Sequence, residues 1–243
     1  MKINSFGKTD PGLKRTNNED SYVIREDLNF CAVADGMGGA AAGEIASRIF
    51  VDTATCIYEE WMRSDKQDPA LPVQKTYITA NSRIIEHISR FPEHKGMGTT
   101  AELLSISDDL IIIGHVGDSR TYRLRNGVLK QITKDHSLIR EQIDKGIITA
   151  LEAKNHRMRH VILRAVGVEE NVSLDIIRSK AVEGDIYLLC SDGLTDMADD
   201  DAIEKCMNSY SALDVMASGL VDLANAGGGK DNITVVLARI SEV

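Results

Sequence analysis

The sequence predicts an α+β fold on three observations. Two long stretches, Ala40 to about Arg63 and the residues that follow Pro72 up to Pro92, place apolar side chains at helical spacing. From Gly96 the period changes to that of strands, with short turns that read as hairpins. The last third alternates short apolar strands with helices. A chain of 243 residues without a linker, repeat or low-complexity segment is expected to form a single domain, residues 1–243.

Taken in order, Asp10-Pro11-Gly12 is turn chemistry and leads into the polar run Arg15 to Asp20. That run switches directly to a strand, Ser21 to Ile24, so Glu19 and Asp20 sit at a strand start with Arg15 upstream. Next, the apolar run Phe30 to Ala34 ends on Asp35, and Gly36, Gly38 and Gly39 follow. A buried strand thus delivers a carboxylate to a tight turn where backbone can approach a ligand closely. Three readings fit this segment alone. They are a plain strand-to-helix turn, a phosphate cradle, and a hard cation held by Asp35 and a backbone carbonyl.

The first helix carries Ile45, Ile49, Phe50, Thr53 and Ile57 on one face, and the second carries Val73, Tyr77, Ile84, Ile88 and Phe91. Both stripes read as core-covering scaffold. Residues Gly98 to Ile106 and Asp109 to Val116 form a hairpin that ends on Gly117-Asp118-Ser119-Arg120. A second hairpin joins Thr121 to Leu124 with Val128 to Ile132 through Asn126-Gly127, a strong turn signal. Residues 135–160 are polar, helix-prone at Leu138 to Lys145 and about Ala150 to Asn155, and carry Arg140, Arg157, Arg159 and His160. They read as a surface insertion. After the apolar run Val161 to Gly167, the strand Asp185 to Cys190 ends on Ser191-Asp192-Gly193, with Asp196 just beyond. Helices at about 200–207 and 212–226 follow, and the loop Gly227 to Asn232 opens the last strand, Ile233 to Ala238.

Composition narrows the function classes. With 37 acidic against 28 basic residues and a net charge of −9, no basic face for nucleic acid is indicated. The four cysteines form no C-x-x-C pair, which fits a reducing, cytoplasmic setting and neither a zinc site nor a disulfide framework. No apolar run reaches the roughly 18 residues of a membrane span. Asp35, Asp118, Asp192 and Asp231 each lie at a strand end near glycine, and Asp20 lies at a strand start. If these ends converge, they form an acidic cluster suited to Mg²⁺ or Mn²⁺, because thiolates are missing and histidine is scarce. Packed carboxylates repel one another unless cations neutralise them.

On these residues the chain resembles bacterial members of the type 2C metal-dependent Ser/Thr protein phosphatase family along essentially its whole length. The matching motifs are Arg15-x-x-Asn18-Glu19-Asp20, Val33 to Gly39, Gly98 to Ala101, Gly117 to Arg120, Thr133-Lys134-Asp135-His136-Ser137, Ser191 to Leu194 and Gly229 to Thr234. The resemblance implies a four-layer αββα sandwich, two antiparallel sheets flanked by pairs of antiparallel helices, with a helical flap at about 135–160. It implies hydrolysis of phosphoserine and phosphothreonine in proteins by direct attack of water bridging two metal ions. Asp20, Asp35, Asp192 and Asp231, with the Gly36 carbonyl, would hold the two core Mn²⁺ or Mg²⁺ ions, and Asp118 with Asp192 a looser third. Glu19 would act through water or behind the ligands, and Asn232 would position site waters. Arg15 would clamp the phosphate. The implied substrates are phosphoproteins, a Ser/Thr kinase and its targets among them, and the implied state is a monomer. Met37 stands where many eukaryotic relatives carry a histidine proposed as general acid, so the proton must come from water or from a flap residue such as His160, which reads as an ordinary surface histidine. A pseudophosphatase would show damaged metal ligands, and none is visible. A nucleotide-binding module would need the phosphate-loop reading of Gly36 to Gly39.

Overall fold

The computed structural model describes residues 1–38, 42–63, 68–153 and 156–242. In chain order the elements are β1 (Lys2–Asp10), β2 (Asp20–Arg25), β3 (Phe30–Met37), α1 (Gly43–Met62), α2 (Leu71–Arg90), β4 (Gly98–Thr99), β5 (Ala101–Ser107), β6 (Leu110–Val116), β7 (Arg120–Arg125) and β8 (Val128–Gln131). They continue with α3 (Leu138–Asp144), α4 (Ala150–Ala153), β9 (Asp175–Lys180), β10 (Ile186–Cys190), α5 (Asp192–Thr195), α6 (Asp200–Asn208), α7 (Leu213–Ala226) and β11 (Ile233–Ser241). One sheet runs β1-β11-β10-β7-β8 and the other β2-β3-β5-β6-β9, with β4 pairing β3. Every pairing is antiparallel.

Strand parity builds the layers, because alternate side chains of a strand point to opposite faces. In β11, Ile233, Val235 and Leu237 pack with α6 and α7, while Val236, Ala238 and Ile240 pack between the sheets. In β3, Phe30, Ala32 and Ala34 face α1 and α2, while Cys31 and Val33 face the other sheet. Three apolar layers therefore separate four layers of structure, and the α+β, αββα expectation holds. Phe50, Tyr77 and Phe30 lie fully buried in the layer under α1 and α2, and each aromatic removed from water contributes roughly 2 to 3 kcal/mol. Phe30 stacks on Tyr58 at 4.1 Å between ring centroids, which locks α1 to β3.

The structure departs from the sequence reading in several places. Strands β1 and β9 were not expected. Each lies at the edge of its sheet and is mostly polar, with Ile3 the one fully buried apolar side chain of β1, so no clear alternation marks them. Strand β3 does not stop at Asp35 but runs on to Met37, because Gly36 and Met37 pair with Thr99 and Gly98 of β4. Phe91, expected on the buried stripe of α2, is 44% exposed beyond the helix end. The expected start of the first helix at Ala40, and the residues Lys154 and Asn155 at the end of the flap helix, lie outside the described residues.

Candidate metal centre

The parity that builds the inter-sheet core also aims the acidic residues. Cys31 and Val33 of β3 face the other sheet, and Asp35 continues that series. Tyr22 and Ile24 of β2 pack at the same layer, so Asp20 continues theirs, and register places Asp20 directly across from Asp35. From the opposite sheet, β10 ends at Cys190 and Asp192 opens α5, while Asp231 lies two residues before β11 next to it. The sandwich core therefore ends in carboxylates contributed by both sheets.

A polar floor lies beneath them. Ser191 Oγ donates to Asp20 Oδ2 at 2.8 Å and accepts from the Thr234 N–H at 3.0 Å. Among the described residues, Asp20 Oδ1 and Asp118 Oδ1 are buried without a hydrogen-bond partner. A buried, unpartnered carboxylate oxygen is costly, and a divalent cation is a natural partner for it. The donor set is one of carboxylates, which suits Mg²⁺ or Mn²⁺. The residues thus fit the ions that the sequence implies.

Electrostatics agree with this crowding. Burial pushes the Asp35 carboxyl well above the usual range, and the charges of Asp20, Asp192, Asp118 and Asp231 push it the same way. Asp192 is raised well above it by burial and by Asp118, Asp196, Asp231 and Asp20. Burial raises Asp20 to about 6, and burial with the charge of Asp135 raises Asp118 to about 7. A carboxyl raised in the folded chain binds more protons folded than unfolded, so stability falls as pH rises through the folded value. In chelator, the melting temperature should therefore drop between about pH 6.5 and about pH 8, across the value of Asp118 at about 7, with Asp35 and Asp192 acting in the same direction. Burial lowers His136 to about 4, which has the opposite sign but acts below this window. Added Mn²⁺ should raise the melting temperature more at about pH 8 than at about pH 6.5. Scanning fluorimetry at both values checks this, and equal increments would remove these carboxylates as ligands.

Arg15 lies at the rim, half-exposed, with Nη2 donating to Asp231 Oδ2 at 2.8 Å. The Glu19 carbonyl accepts from the Gly36 N–H at 3.2 Å and from Ser47 Oγ at 2.6 Å, so this residue ties the β2 entry to β3 and α1. Asn232 sits behind the carboxylates: its Oδ1 accepts from the Glu19 N–H at 2.8 Å and its Nδ2 donates to the carbonyls of Pro11 and Asn17, so it clamps the loop carrying Arg15.

Two residues enter from the flap side. His160, Asp192 and Asp196 offer ligand atoms that all lie within 4.8 Å of one another. His160 is exposed, as expected of a surface histidine, yet its Nδ1 stands 3.4 Å from Asp196 Oδ2. Asp196 belonged to no expected site. The signal for it was present, since Asp192 and Asp196 are four apart and the short helix α5 puts such pairs on one face. Beside this group a cleft of about 720 Å³ opens between the flap and the start of α6, lined by Arg120, Asp135, Arg140, Arg159, Asp196 and Asp199 among others.

The chain is similar to known proteins in sequence and in fold. The sequence pattern of the protein phosphatase 2C family matches residues 14–223. The serine/threonine phosphatase stp of Listeria monocytogenes is 37% identical over 236 residues, covering 96% of this chain and 94% of the relative. The crystal structure of the Mycobacterium tuberculosis serine/threonine phosphatase PstP/Ppp superposes with a TM-score of 0.92 at 36% identity and covers all of both chains. The catalytic domain of PstP in complex with two manganese ions superposes with a TM-score of 0.90 at 35% identity, over 99% of each chain.

Proposed function

The chain belongs to the protein phosphatase 2C family, and on that premise we propose how its residues perform metal-dependent dephosphorylation of serine and threonine in proteins. The observation that carries the reading is the carboxylate cluster drawn from both sheets, with the orphaned oxygens of Asp20 and Asp118 inside it. Asp20, Asp35, Asp192 and Asp231, with the Gly36 carbonyl, hold two core cations. Asp118 with Asp192 holds a weaker third, which Asp196 and His160 border on the flap side. What Mn²⁺ or Mg²⁺ supplies when bound is Lewis acidity toward water and the phosphoryl group.

The chain's own residues do the rest. Arg15, kept at the rim by Asp231, presents a planar guanidinium whose remaining N–H groups clamp the phosphoryl oxygens and offset charge that develops on them. Glu19 and Asn232 fix the loop on which Arg15 rides. Met37 carries no proton to give, so protonation of the departing alkoxide falls to solvent or to His160. The cleft beside Asp196 receives the polypeptide that flanks the phosphorylated residue, and the flap helix α3 forms one of its walls. Phosphoproteins are the substrates, including a Ser/Thr kinase and its targets. The protein acts as a cytoplasmic monomer. Among the described residues no helix is long and apolar enough to cross a membrane.

The test is hydrolysis of a phosphothreonine peptide and of p-nitrophenyl phosphate with Mn²⁺, with Mg²⁺ and with chelator. Turnover with either metal and its loss, by at least about a hundredfold, in chelator are expected. Metal-independent turnover would overturn the reading.

A further inference from the structure

His136, in the Thr133 to Ser137 motif, has no part in the chemistry above, yet it is more tightly tied than any surface role requires. Its ring is buried, 9% exposed, and packs on the ring of His115 at 4.4 Å between centroids. The Gly117 N–H donates to His136 Nδ1 at 3.1 Å, and the His136 N–H donates to the Gly117 carbonyl at 2.7 Å. One residue thus closes on both polar groups of the glycine that precedes Asp118. Gly117 itself has φ +114°, and a Cβ there would meet Thr100 at 2.5 Å, so the turn has little freedom to adjust.

The other side of His136 faces the flap. Its carbonyl accepts from the Leu163 N–H at 2.7 Å, and the Leu138 N–H donates to the Val161 carbonyl at 2.9 Å, so entry and exit of the flap are stitched together at this residue. Because Nδ1 accepts from Gly117, the proton sits on Nε2, which donates to Asp175 Oδ2 at 3.1 Å. Arg164, on the flap's exit, donates to Asp175 Oδ1 at 3.0 Å and completes the chain. Burial lowers His136 to about 4, which keeps this neutral tautomer near physiological pH.

We propose that His136 is a positioning residue that couples the flap's stem to the turn carrying Asp118, so that flap placement and cation binding at the Asp118 side change together. This rests on the reading of Asp118 as a ligand of the weaker cation. A change in the ring moves both groups at once, because the backbone and side chain of His136 hold Gly117 while its carbonyl holds Leu163.

The experiment compares His136→Leu, which removes both ring nitrogens, with His136→Asn, whose Oδ1 can accept from Gly117 in place of Nδ1. Mn²⁺ titration by calorimetry should show the weakest binding step reduced about tenfold in the Leu variant, with the tighter steps unchanged. Trypsin cleavage within the flap, at Arg140, Lys145, Arg157 or Arg159, should quicken about tenfold in the same variant. The Asn variant should restore both to within about threefold of wild type. A Leu variant with a lower melting temperature but wild-type titration and cleavage would overturn the proposal, as would an Asn variant no better than Leu. If His136→Leu does not fold, Asp175→Ala carries the test, and an unchanged titration and cleavage pattern overturns it. Neither readout needs turnover, so a wild-type protein that fails to hydrolyse phosphothreonine would defeat the proposed function while the coupling could still be measured.

Discussion

Asp35→Asn is expected to lower kcat/KM for a phosphothreonine peptide by more than about a hundredfold while the protein remains folded. The asymmetry follows from the position of the side chain. Asparagine keeps the shape and one oxygen, so the hydrogen bonds at the Asp35 backbone, from the Thr100 N–H at 2.9 Å and Thr99 Oγ1 at 2.8 Å, survive. What is lost is the charge at a buried carboxylate crowded by Asp20, Asp192, Asp118 and Asp231. Without cations the same change relieves repulsion among Asp20, Asp192, Asp118 and Asp231, so the variant should melt at or above the wild-type temperature in chelator. Steady-state kinetics and scanning fluorimetry together check this, and near-wild-type turnover would sink the metal-ligand assignment.

Gly36→Ala should be damaging in the opposite sense, to structure first. A Cβ on Gly36 would lie 2.1 Å from the Gly43 carbonyl oxygen and 2.6 Å from that of Glu19, both backbone atoms that no rotamer change can move aside. Strand β3, the start of α1 and the entry to β2 would have to separate. Overpacking of this kind costs about 3 kcal/mol, and here it falls on the three segments that place Glu19, Asp20 and Asp35. Urea denaturation in chelator should show that loss, and calorimetry should show weaker Mn²⁺ binding as well. A variant with wild-type stability would mean that α1 slides freely on β3, contrary to the packing of Phe30 on Tyr58.

Much of this architecture was legible before any coordinates, and the reason is physical. Strands β3, β5, β6, β10 and β11 are buried on both faces, so their apolar runs stand out, and the aspartates that end those runs stand out with them. The Asn126-Gly127 hairpin was equally plain, since both residues take the positive φ its turn needs, 52° and 80°. Edge strands β1 and β9 were hidden because a strand with one neighbour and a wet face carries mostly polar residues. Asp196 left only its four-residue spacing from Asp192 as a signal, because α5 spans only Asp192 to Thr195 and is too short to show a period. The backbone clamp made by Asn232 was hidden for a different reason, since its partners lie on a loop more than 200 residues away in sequence.

The pairing of β1 with β11 has a consequence for how the protein is born. β11 lies between β1 and β10, and Asp231 lies two residues before it. Asp20 and Asp35 emerge from the ribosome early, but the opposite wall of their site does not exist until residues beyond 231 have been translated and have slotted between two strands already made. During synthesis the early carboxylates face one another without the partners that complete a cation cage. The site that joins the two sheets is therefore complete only once β11 lies between β1 and β10.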